Sequence, residues 1–244
     1  MHSTNFRNLF HLYWSKVIIV SLFIFVCIPL TEVSGQGVRR KHLEYYDDKP
    51  IHYGILFAVP FTKYNFSHNS HFLDQDSAFI IESPKTTAFR MGFTINAYLN
   101  ERFDLRTTPS VSLFERQLKL GYPNGSYKTE KRESTWIEIP LLLKYKSQRR
   151  GNSRMYLLTG FTLGVETNVK RNRSASSGVL NTKSSDLTLD YGIGFEQFFE
   201  FFKFAPELRF SHGLTNILNP SVNSATLGID KLKTHTVTLY LNFE

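Results

Sequence analysis

Beyond its first fifty positions the chain alternates between apolar and polar residues. In HYGILFAVPF, Tyr53, Ile55, Phe57, Val59 and Phe61 share one parity, and Gly54, Leu56 and Ala58 the other. AFRMGFTINAYL sets Phe89, Met91, Phe93, Ile95, Ala97 and Leu99 against Arg90, Gly92, Thr94, Asn96 and Tyr98. FDLRTTPSVSLF sets Leu105, Val111 and Leu113 against Asp104, Arg106, Ser110 and Ser112. TWIEIPLLLKYK, MYLLTGFTLGVE, DLTLDYGIGFEQF and THTVTLYLNFE repeat the pattern, with Glu138, Lys144, Asp190 and Glu196 on the polar side. The remaining segment, FFEFFKFAPELRFSHGL, is crowded with phenylalanine yet carries Lys203, Glu207 and Arg209. A helix is a poor fit, because Pro206 in its interior would cost about 3 kcal/mol. From Phe202 onward a period of two fits, with Phe204, Pro206, Leu208, Phe210 and Leu214 opposite Lys203, Ala205, Glu207 and Arg209. Alternation of this kind predicts strands with one apolar and one polar face.

Eight such segments recur, each near the 9–11 residues that a tilted strand needs to cross a bilayer. At roughly 3.3 Å per residue and a tilt near 40°, ten residues rise about 25 Å, the height of an outer-membrane apolar band. The intervals alternate in length. Those near Asn100–Arg102, Ser147–Arg154 and Phe199–Phe201 are short; Thr62–Lys85, Tyr122–Glu133, Asn168–Ser185 and Thr215–Lys231 are long and polar. Short turns on one side and long loops on the other predict an all-β, eight-stranded antiparallel transmembrane β-barrel of the outer-membrane type. Both termini would then lie in the periplasm of a Gram-negative envelope. The phenylalanine face meets lipid. Arg90, Asp104, Arg106, Glu138, Lys144, Asp190, Glu196, Lys203, Glu207 and Arg209 point into the lumen, where buried charges require partners. A soluble, lipocalin-like barrel would reverse the faces, but its interior would have to hold this aromatic load. Pro60, Pro109, Pro140 and Pro206 fall within strands, so bulges or locally broken ladders are expected there.

The N-terminus sets the compartment. Arg7 and Lys16 precede VIIVSLFIFVCIPL, an apolar run of roughly 14 residues that is too short to span a bilayer and suits a signal-peptide core. Cleavage is expected after Gly35. The division is a signal peptide over residues 1–35, a polar periplasmic lead over 36–50 and the barrel over 51–244. Cleavage removes Arg7, Lys16 and Glu32 and lowers the formal net charge of +8 by one. It also removes Cys27, the chain's one cysteine, and with it disulfides, thiolate nucleophiles and cysteine metal sites. A basic exported chain finds its anions in outer-membrane lipid and lipopolysaccharide; no nucleic-acid-binding signature is present.

Candidate chemistry is sparse. Ser211 and His212 adjoin in FSHG, but neighbouring strand residues face opposite ways and cannot form a nucleophile–base pair. His68, His71, Asp74 and Asp76 in SHNSHFLDQD have a composition that binds divalent metal, although solvated loops share it. Lys144, Lys146, Arg149, Arg150 and Arg154 form a basic cluster at or beside a short turn, where Arg149 and Arg150 are candidates for a periplasmic contact. Lys170, Arg171 and Arg173 lie in a long loop, near lipopolysaccharide phosphates. No enzyme and no cofactor is expected.

Several stretches carry a resemblance. DDKPIHYGILFAV, FDLRTTPSVSLFERQLKL, WIEIPLLLKYKSQRRGNSRMYLLTG and DYGIGFEQFFEFFKFAPELRFSHGLTNIL, with LYLNFE, resemble the PorT/SprT family of outer-membrane barrels. The likeness spans nearly the whole mature chain. EIPLLLKY alone is common among such barrels; its combination with FKFAPELRFSHGL is more specific. The resemblance implies a part in type IX protein secretion and gliding motility: export of cargo with a C-terminal sorting domain, through contacts with other secretion-machinery proteins. It brings no catalytic residues. A small porin-like or structural barrel is the alternative.

Overall fold

The computed structural model describes residues 41–68, 80–121, 127–167, 182–218 and 229–244, all within one compact unit over Lys41–Glu244. The expected signal peptide and residues 36–40 of the lead lie outside them, as do His71, Asp74, Asp76, Lys170, Arg171, Arg173 and the side chain of His68.

The described residues form strands β1 Ile51–His68, β2 Ile80–Glu82, β3 Thr86–Thr87, β4 Phe89–Tyr98, β5 Phe103–Thr107, β6 Ser110–Gly121, β7 Tyr127–Lys146, β8 Ser153–Glu166, β9 Ser185–Phe198, β10 Lys203–Gly213 and β11 Ile229–Phe243. Every pairing is antiparallel, and the ring closes because β1 pairs with β11 on one side and with β3 and β4 on the other. β2, β3 and β4 run in series as one stave of the wall, and β5 and β6 as another. With β1 and β7 to β11 these make an eight-stave barrel.

Strand length departs from expectation at the end where 69–79, 122–126, 168–181 and 219–228 connect. Thr62–Lys85 and Tyr122–Glu133 were expected as polar loops, yet β1 continues to His68 and the β6–β7 ladder runs unbroken from Ser110↔Glu138 to Gly121↔Tyr127. The ladder satisfies backbone groups whatever the side chains are. A strand that has left the apolar band therefore continues with polar residues on both faces, and alternation no longer marks it.

Each in-strand proline sits at a broken ladder. β7 pairs with β6 up to Glu138 and with β5 from Leu142; between these, Pro140 faces the Thr108–Pro109 break. Pro60 lies where β3 gives way to β4, and Pro206 lies in a gap of the β9–β10 pairing. A proline has no N–H for the ladder, so the break falls where no donor is lost.

The wall is apolar outside and charged inside. Phe93 is 64% and Leu141 59% exposed, whereas Arg106 and Lys144 are 0% exposed. In water, half-exposed side chains of this size would each forgo on the order of 1 kcal/mol. A continuous band of them requires lipid as the outer solvent.

Candidate functional site

The lumen is filled by paired charges. Parity along each strand sends alternate residues inward, and the antiparallel ring brings distant positions together. At the end carrying the short turns, Glu196 of β9 accepts hydrogen bonds from Lys144 of β7, Arg154 of β8 and, at 2.9 Å, Lys203 of β10. The Glu244 side chain accepts from Lys203 at 2.7 Å, Arg106 at 3.0 Å and Asn96 at 2.6 Å. Asp104 pairs with Lys146 at 2.6 Å.

Deeper in, Glu207 joins two guanidiniums. It accepts from Arg106 at 2.9 Å, Arg209 at 2.5 and 2.8 Å, and the Tyr156 hydroxyl at 3.0 Å. Tyr156 lies across Gly194, where a Cβ would collide with its ring. Toward the other end, Arg90 bonds Ser112 at 2.7 Å, Glu138 and the Tyr240 hydroxyl. Asp190 accepts from Thr162 at 2.5 Å and Thr188 at 2.9 Å. Arg116 stacks over the Phe114 ring at 4.3 Å and donates to Thr62 at 3.3 Å. The cavity bounded by Arg90, Arg116, Trp136, Glu138 and Asp190 has a volume of about 20 Å³, room for little more than one water. Losing one partner of a buried pair of this kind costs about 3–5 kcal/mol.

The short-turn mouth is covered by residues 41–50. The Tyr46 hydroxyl donates to Glu244 at 2.7 Å, and its ring stacks on His52 at 4.0 Å with Lys203 Nζ 4.4 Å from the ring centre. Burial and the neighbouring Glu244 carboxylate raise the Tyr46 pKa, so the phenol keeps its proton. Asp47 accepts two bonds from Arg154, at 3.0 and 3.1 Å. Arg149 donates to the carbonyls of His42 and, at 3.3 Å, Leu43, while its guanidinium lies 3.8 Å from the Phe198 ring centre. Leu43 has a φ of 49°, a left-handed conformation that these bonds hold in place.

The sequence reading named Arg90, Asp104, Arg106, Glu138, Lys144, Asp190, Glu196, Lys203, Glu207 and Arg209 as lumen charges; all occupy the inner face, and Glu138 alone is more than slightly exposed. It missed Lys146, Arg154, Glu244 and Tyr46; Tyr156 and Tyr240 share the polar parity of their strands and also face inward. Lys146 and Arg154, expected in the basic cluster at the turn, are buried in the lumen instead. Each continues the inward parity of its strand by one step, and Glu244 does the same after Tyr240 and Asn242. Arg149 and Arg150 share one short turn but differ in role: half-buried Arg149 ties down residues 42–43, while exposed Arg150 borders an outer groove of about 500 Å³ with Arg102, Tyr145, Met155 and Phe195. Ser211 and His212 point to opposite faces, and His212 bonds Tyr191 at 2.9 Å and His235 at 3.0 Å. Among the described residues no group of three or more His, Cys, Asp or Glu side chains is placed to hold a metal.

Comparison with solved structures finds other outer-membrane barrels. OprG from Pseudomonas aeruginosa is 14% identical with a TM-score of 0.44, covering 78% of this chain and 94% of that one. Neisserial surface protein A is 9% identical with a TM-score of 0.43, covering 80% and 98%. Ail, the attachment invasion locus protein of Yersinia pestis, is 11% identical with a TM-score of 0.38, again covering 80% and 98%. No curated protein matches the chain at a significant level. The family model for the outer membrane protein beta-barrel domain matches residues 36–219, and the chain belongs to that family.

Proposed function

We propose that this barrel is a non-enzymatic component of the type IX secretion machinery, exported by a signal peptide cleaved after Gly35, with its short turns and both termini in the periplasm. The observation that carries the reading is the filled lumen. An eight-stave barrel has an interior just wide enough for side chains, and this one is closed by ion pairs and covered at one mouth by Tyr46. Cargo has no path through it, so its work is done by surfaces. The resemblance of FKFAPELRFSHGL and its companion stretches to the PorT/SprT family supplies the secretion context. The filled lumen also weighs against the porin-like alternative.

The groove beside Arg102 and Arg150 is the proposed contact surface for a periplasmic partner, with two exposed guanidiniums for its carboxylates beside Tyr145, Met155 and Phe195. Arg149 serves that surface indirectly, by holding the lead beside it. Deleting the gene should trap sorting-domain cargo in the periplasm while leaving envelope permeability unchanged. Arg102→Glu with Arg150→Glu should weaken secretion while the barrel keeps its heat-modifiable migration on gels. Normal secretion from the deletion strain would remove the function; normal secretion from the doubly reversed protein would remove only the contact surface.

A further inference from the structure

Where β10, β11 and β1 leave the apolar band at the end away from the short turns, their outward faces turn basic together. On β1 the outward series Val59, Phe61 is followed by Lys63; on β11 Leu239, Val237 is followed by His235, Lys233 and Lys231; on β10 Leu208, Phe210 is followed by His212. Register aligns the change. Phe61 lies opposite Val237 and Val237 opposite Phe210; one step further, Lys63 lies opposite His235 and His235 opposite His212. Phe61 also faces Thr87, so the β1–β3 register carries Lys85 up beside Lys63. A level line of apolar residues thus gives way to a level line of bases across three adjacent staves.

Among the described residues, no ion pair to a carboxylate is formed by Lys63, Lys85, Lys231 or Lys233. The charged groups acting on His235 are His212, Lys63 and Lys85, all of them basic. Lys63 and Lys85 at one level, with Lys233 one rung beyond, repel each other, and a bound anion relieves that. The lumen, by contrast, neutralises its charges internally. The imidazoles are also oriented. Tyr191 OH and His212 Nε2 are 2.9 Å apart, and the Nδ1 atoms of His212 and His235 are 3.0 Å apart. If Tyr191 donates to His212, His212 donates onward to His235, and His235 Nε2–H is left as the ring's donor.

We propose that this face binds the phosphate groups of the outer-leaflet glycolipid, lipopolysaccharide, with Lys63, Lys233 and His235 at its centre and Lys85 and His212 beside them. The inference rests on the orientation given under Proposed function, with the long connectors outside. The apolar rung of Phe61, Val237 and Phe210 lies directly beneath the bases, where the acyl chains of the same lipid would continue. Lysine ammoniums reach phosphate as mobile point charges, and their stems lie along the wall. The occupant is therefore amphipathic, with a phosphorylated head at the level of Lys63 and tails against Phe61.

The test uses the full-length barrel in phosphatidylcholine nanodiscs, alone or with lipopolysaccharide, enzymatically dephosphorylated lipopolysaccharide or phosphatidylglycerol. The readout is the temperature at which heat-modifiable gel mobility is lost. Lipopolysaccharide should raise the midpoint of the unsubstituted protein, and the other two additives should raise it by less than half as much. The triple variant Lys63→Gln, Lys233→Gln, His235→Gln should match the unsubstituted midpoint in phosphatidylcholine and lose at least half of the gain. Lys63→Gln alone guards against a folding defect and should lose part of it. An undiminished gain in either variant would overturn the site. An equal gain from dephosphorylated lipid would overturn the phosphate, and an equal gain from phosphatidylglycerol would overturn the choice of glycolipid. None of these readouts involves cargo, so a failure of the secretion reading would leave them unchanged.

Discussion

Burial alone would raise the pKa of the Glu244 carboxyl, but Lys203, Arg106 and Lys144 outweigh it and hold the group down to about 2, from 4.5. Because the folded value is depressed, the stability it contributes is fully present above about pH 4.5 and is lost as pH falls through about 2. The shift corresponds to on the order of 3 kcal/mol. Glu244→Gln should therefore lower the thermal midpoint at pH 7 and flatten its dependence between pH 5 and pH 2, as measured by heat-modifiability across that range. Facing can be tested on β10. Leu208→Arg, placed against lipid near mid-membrane, should cost about 2–4 kcal/mol of folding free energy in denaturant titrations. Ser211→Asn, a small polar change on the inner face beside the lumen cavity with Asp186 and Asp190, should cost less. Ala205, although inward, is packed against Leu142, Tyr156 and Leu158 and leaves no room for a long side chain. Parity in the sequence locates Arg106 or Glu207 on the inner face, but which acid meets which base depends on ring closure. Arg106 and Glu207 belong to staves that are far apart in the chain, and no local pattern encodes their 2.9 Å contact.

The strands were legible wherever they crossed the apolar band and faded beyond it. β8, β9 and β10 alternate along their length, and the sequence marks them at both ends. The far end of the β6–β7 hairpin, where β7 carries Lys131 and Glu133, reads as a loop over Tyr122–Glu133, because water accepts polar residues on both of its faces. Residues 41–50 are the opposite case. DDKP reads as a solvated lead, yet Tyr46 and Asp47 are held by groups brought to the mouth from β8, β10 and the end of β11. Arg149→Ala should release this segment. Trypsin should then cleave after Lys41 several-fold faster than in the unsubstituted protein, with the barrel core still resistant; the Lys49–Pro50 bond resists trypsin in either case. Unchanged cleavage would show that Tyr46 and Asp47 hold the segment without Arg149.

A ring of eight staves with its charges paired across the middle is a plug as much as a wall. Purified protein in planar bilayers should give no steady conductance, and stable openings of porin size would contradict the filled lumen. The ring's strength is uneven around its circumference. The ladder that joins β1 to β11 is unbroken from Ile55↔Phe243 to Ser67↔Lys231, although it connects opposite ends of the barrel sequence. The ladder between β5–β6 and β7 lapses at Thr108–Pro109 and Pro140, in the middle of the wall. A barrel pulled sideways would therefore not tear where its two ends meet. Under lateral load the rupture should start at the proline gap, and single-molecule pulling on β7 should show a lower peak force than pulling on β11.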